Sequence, residues 1–89
     1  GFLMRYTEKE KRIIAIKRLL NVEECGEQPE VENMHHSFNE IFDCCSSDID
    51  LQSCKGIVGS LVKKDVFYEE KTDGNFTFIF TDKYLDGDL

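Results

Sequence analysis

Residues 51–64, LQSCKGIVGSLVKK, constrain this chain most, because their apolar positions share one face only in a helix. Leu51, Cys54, Val58, Leu61 and Val62 recur at helical spacing, and Gln52, Ser53, Gly56, Gly59, Ser60 and Lys63 lie opposite. The opposite face is small, uncharged or basic and carries no carboxylate. Lys63 and Lys64 suit the negative end of the helix dipole, and Asp65 stands where a left-handed residue ends a helix. Two β-rich runs follow at once, Val66 to Glu70 and Phe76 to Thr81, separated by Asp73-Gly74, and together they read as a hairpin. A two-residue Asp73-Gly74 turn pairs Phe76 with Lys71 and Phe78 with Glu69. A three-residue Thr72-Asp73-Gly74 loop instead pairs Tyr68 with Phe78 and Val66 with Phe80 on a uniformly apolar face, and is the expected register.

The upstream sequence supplies helices to cover that unit. Thr7 and Glu10 have capping-box spacing, and Ile13, Ile14, Ile16, Leu19 and Leu20 then bury one side of a helix. Lys9, Arg12, Lys17 and Arg18 are left for solvent or a polyanion. Residues 21–36 are rich in glutamate, hold the only proline and lack periodicity, so they read as a long acidic connection with an extended piece around Val31. Ser37 and Glu40 repeat the capping-box spacing before Phe38, Ile41, Phe42 and Cys45, which fall at i, i+3, i+4 and i+7. A polar turn over Ser46 to Asp50 follows, with Asp48 or Asp50 capping the central helix. The expectation is one α+β domain over 1–89, with a three-helix core, a C-terminal two-stranded hairpin and a tail that frays after about residue 85.

Charge is distributed unevenly. The net charge is −7, yet residues 1–20 carry six bases and two acids, and residues 51–64 carry three bases and no acid. Residues 21–50 carry nine acids and no base. An excess of positive charge is thus confined to the first and central helices, since residues 65–89 carry two bases and seven acids, a pattern compatible with specific DNA binding in which non-specific attraction is weak, and equally with a protein partner. No apolar run approaches the ~18 residues that span a bilayer, and Gly1-Phe2-Leu3-Met4 is too short for a signal peptide, so a cytoplasmic setting with reduced thiols is expected.

Cys25, Cys44, Cys45 and Cys54 with His35 and His36 raise the question of a metal site. No C-x-x-C pair exists, and Cys45 and Cys54 fall on the apolar stripes of their helices, where free cysteines behave as small hydrophobes. His35-His36 reads as a boundary before a helix start. Phosphate-cradling glycine loops, zinc-protease motifs and nucleophile elbows are missing from the sequence, so neither an enzyme nor a cofactor is expected.

Residues 37–84 resemble the winged-helix DNA-binding domains of small prokaryotic and phage-type regulators, including the multiple-antibiotic-resistance-regulator class. GIVGSLVKKDVFYEE looks like their junction of recognition helix, basic pair, turn and strand, and FIFTDKYLD is similar to the second wing strand closing on a Thr-Asp/Glu-Lys motif. Asp65 replaces the glycine usual after the recognition helix, and the wing tip has one lysine and one aspartate in place of several bases. The resemblance implies that the central helix enters the major groove of double-stranded DNA, where Gln52 and Ser53 reach base edges. It implies that Lys63, Lys64 and the wing residue Lys71 contact phosphates, and that Gly56 and Gly59, with Ser60 on the same helix face, let a backbone approach closely. A second implication is an acidic winged-helix module that binds a protein instead of DNA.

Overall fold

The computed structural model describes residues 6–25 and 34–85. The elements in order are α1 (Glu8–Cys25), β1 (His36–Ser37), α2 (Phe38–Asp43), α3 (Leu51–Lys63), β2 (Phe67–Thr72), β3 (Asn75–Phe80) and α4 (Asp82–Leu85). The strands form one antiparallel sheet in the order β1-β3-β2. The arrangement is α+β, with a third strand and a short fourth helix beyond the expected three helices and hairpin.

Helix α1 starts as its sequence dictates. The Thr7 amide donates to Glu10 Oε1 at 2.8 Å and the Glu10 amide donates to Thr7 Oγ1 at 3.1 Å, the reciprocal bonds of a capping box. It ends later than expected, at Cys25 and not near Leu20, so the connection does not begin at Asn21. Glutamates 23 and 24 are good helix formers, so the helix has no local reason to stop at Asn21. The extended piece expected around Val31 lies outside the described residues. Two further expectations on α1 are corrected: Leu19 is exposed, and Lys17 is fully buried.

Lys17 explains how β1 is held. Its Nζ donates to Asn21 Oδ1 at 2.8 Å and to the Met34 carbonyl, and lies 2.8 Å from His36 Nδ1. The Met34 amide donates back to Asn21 Oδ1 at 3.3 Å. These bonds tie the chain before α2 to the side of α1, and His36 and Ser37 then pair with Phe78 and Thr77 of β3. His36 is accordingly a buried strand residue and not merely a helix boundary.

Both remaining N-caps lie at expected positions. Ser37 caps α2 with a reciprocal bond to Glu40, and the choice for α3 falls on Asp50, whose carboxylate accepts from the Ser53 amide at 2.7 Å. Helix α3 ends in a Schellman motif, with the Val66 amide donating to the Leu61 carbonyl at 2.9 Å and the Asp65 amide to the Val62 carbonyl at 3.1 Å. Asp65 takes a φ of 61°, the left-handed conformation expected at that position. An L side chain is disfavoured there, so Asp65→Gly is expected to raise stability by about 0.5–1 kcal/mol in urea denaturation.

The hairpin register departs from the sequence expectation. Phe67 pairs with Phe80, Glu69 with Phe78, Lys71 with Phe76 and Thr72 with Asn75, leaving a two-residue Asp73-Gly74 turn. Both turn residues have positive φ, 51° and 83°, as the type I′ turn requires. Turn geometry outweighs the uniformly apolar pairing because the tip extends past the core. Only Phe67, Phe78 and Phe80 of the two strands are buried, and Lys71 covers the Phe76 ring at 5.5 Å. Ile13, Ile41, Cys45, Cys54, Leu61, Val66 and Phe67 are the centre of the core between helices and sheet.

Candidate functional site

The two flanks of α3 meet different neighbours, and this divides the residues expected to act together. Gln52, Lys55, Gly56, Gly59 and Lys63 are exposed, and they recur three or four residues apart on one stripe. From Gln52 to Lys63 that stripe runs about 16 Å along the helix axis. It contains no carboxylate. Lys55 belongs to it and was missed by sequence reasoning, because it lies between the apolar stripe and the small-residue face.

One flank turns toward the start of α1. Ser53, Gly56, Ile57, Ser60 and Lys64 line a cavity of roughly 340 Å3 together with Thr7, Lys9 and Glu10. Glu10 is only 3% exposed, and its carboxylate accepts from Ser60 Oγ at 2.7 Å and from Lys64 Nζ at 2.8 and 2.9 Å. Burial raises the pKa of Glu10, but the bonds from Lys64, the Thr7 amide and Ser60 outweigh that and bring it down to about 2. Lys64 also lies over the Tyr6 ring at 5.6 Å. Ser60 and Lys64 therefore act inside the fold, joining α3 to α1, where the resemblance had implied a phosphate contact from Lys64. Only the structure reveals Glu10 as their partner, since 50 or more residues separate them.

The remaining cations have distinct settings. Lys63 and Lys71 are both exposed, the first in the last turn of α3 and the second on β2. Arg12 pairs with Asp48, and Arg18 donates to the Tyr84 hydroxyl. Of the residues singled out on α3 and the hairpin, Gln52, Gly56, Lys63 and Lys71 face solvent, Ser53 is half-buried, and Ser60 and Lys64 are committed to Glu10.

The other flank of α3 faces the hairpin across a groove of roughly 360 Å3. Phe38, Val58 and Phe78 form its floor, with Lys55 and Gly59 on the helix side and Glu69 and Phe76 on the strand side. Gly59 leaves the helix wall open, since a Cβ added there would meet nothing within 4 Å.

Thiol chemistry is muted. Cys45 and Cys54 are fully buried, and burial beside the Cys45 thiol pushes the Cys54 pKa up to about 12. Iodoacetamide at about pH 8 is expected to leave Cys45 and Cys54 of the folded protein unmodified and to label both in urea, as read by peptide mass spectrometry. Among the described residues no group of three or more His, Cys, Asp or Glu side chains is arranged to hold a metal ion. Nor is any described helix long and apolar enough to cross a membrane.

No protein-family model, curated protein or solved structure matches the chain.

Proposed function

We propose that the chain is a winged helix that binds double-stranded DNA with α3 in the major groove and the β2-β3 hairpin as its wing. The element order α1-β1-α2-α3-β2-β3 and the sheet order β1-β3-β2 support the architecture. The observation that carries the function is the carboxylate-free exposed stripe of α3 in a chain of net charge −7. Gln52, in the first turn of α3, offers an amide that can pair with the edge of adenine, and Ser53 lies beside it. Lys63 and Lys71 contact phosphates, which position the protein without reading sequence. Gly56 has open space where a side chain would be, so the backbone can approach the groove floor. Lys64 and Ser60 support the reading indirectly, by fixing α3 on α1 through Glu10.

A second reading, an interaction module for another protein, is favoured by one observation. The wing carries Glu69, Glu70 and Asp73 and leaves Phe76 48% exposed, a surface suited to protein more than to phosphate. Fluorescence anisotropy with duplex DNA of mixed sequence across a salt series separates the two. DNA binding predicts affinity that falls with salt, and loss of about two phosphate contacts' worth of salt slope in a Lys63→Glu/Lys71→Glu variant. Absence of binding at low salt would leave the protein-partner reading. Lys64 is unsuitable for this test, because its removal also breaks the Glu10 cluster.

A further inference from the structure

The groove between α3 and the hairpin presents apolar surface that a lone chain leaves in water. Phe76 is 48% exposed on its strand wall, and Leu51, 42% exposed, lies one turn from Lys55 on the same side of α3. The two walls carry opposite charges, Lys55 on α3 and Glu69 on β2. Among the described residues neither of these forms an ion pair with another part of the chain.

We infer that this groove is the face through which two copies of the chain associate about a two-fold axis. In an isologous interface each residue meets its counterpart's neighbour reciprocally, so Lys55 of each copy faces Glu69 of the other and both charges are satisfied at once. A partner surface of a single sign would satisfy one and leave the other desolvated and unpaired, which is costly. The groove also supplies its own occupant: Phe76 of each copy covers the apolar floor of the other, over the opening that Gly59 leaves. Lys55 and Gly59 also belong to the exposed stripe of α3, so association through this groove competes with DNA for that stripe, and the inference stands on the groove alone.

Each chain carries a net charge of −7, and that repulsion opposes association, so the test extends to high concentration. Sedimentation equilibrium of the full chain, without DNA, over about 10 µM to about 1 mM tests the inference. Lys55→Glu alone and Glu69→Lys alone should each weaken association at least about tenfold, because like charges then meet across the axis. The double variant Lys55→Glu/Glu69→Lys should return to within about threefold of the wild type, since the pairing is restored with its signs exchanged. Both positions are exposed, and circular dichroism serves as the check that each variant folds. A wild type that stays monomeric throughout, single variants that associate like wild type, or a double variant as weak as the singles would each overturn it.

Discussion

Glu10→Ala is expected to destabilise the protein by about 3 kcal/mol, a large share of the ~5–15 kcal/mol available to a domain of this size. The change removes a carboxylate that pairs with Lys64, whose side chain is 28% exposed, along with the acceptor for Ser60 and half of the capping box of α1. Glu10→Gln keeps the shape and one acceptor, and should cost about 2 kcal/mol. The same carboxylate sets an acid limb. Its pKa is about 2 in the folded protein, against about 4.3 for an unperturbed glutamate, so the unfolded chain takes up the proton first. Its contribution is fully present above about pH 4.5 and is lost as the pH falls toward about 2. Urea midpoints between about pH 6 and about pH 2.5 should fall more steeply for wild type than for Glu10→Gln, and parallel curves would remove Glu10 from that role.

Lys17→Met is expected to cost about 3 kcal/mol even though methionine fills similar space. Buried Lys17 is a common donor for Asn21 and the Met34 carbonyl and sits against His36. Without it those groups stay buried with a partner lost, and the strand β1 loses its tie to α1. The loss should appear in hydrogen exchange as faster exchange of the His36 and Ser37 amides, and in urea as an earlier midpoint. If Lys17→Met were as stable as wild type, the cluster would be spectator polarity and β1 would be held by its ladder to β3 alone.

Much of the fold was legible because local rules and packing agreed. The Thr7/Glu10 and Ser37/Glu40 spacings gave both capping boxes, and Asp65 ended α3 with a left-handed residue as its position demanded. The failures came where a long-range partner decided. Lys17 reads as one more base on a solvated face, and only the segment carrying His36, folded back beside α1, makes it interior. The two-residue β1 is too short to leave a periodic signal, and its stability comes from pairing with Thr77 and Phe78. In the hairpin the apolar pattern argued for one register and the Asp73-Gly74 turn for another, and the turn prevailed where the strands outrun the core. The candidate site followed the same division. Exposure of Gln52, Gly56 and Lys63 followed from helical periodicity and that of Lys71 from its place near the wing tip, whereas the commitment of Ser60 and Lys64 to Glu10 depended on where α1 lies.

The measurement that tests the central claim most directly is a two-dimensional amide NMR titration of the labelled chain with duplex DNA at low salt. The account predicts shifts concentrated on Gln52, Ser53, Gly56 and Lys63 of α3 and around Lys71 of the wing, with the amides of β1 and of the middle of α1 unmoved. Shifts confined to surfaces away from α3, or no shifts at any DNA concentration, would contradict it.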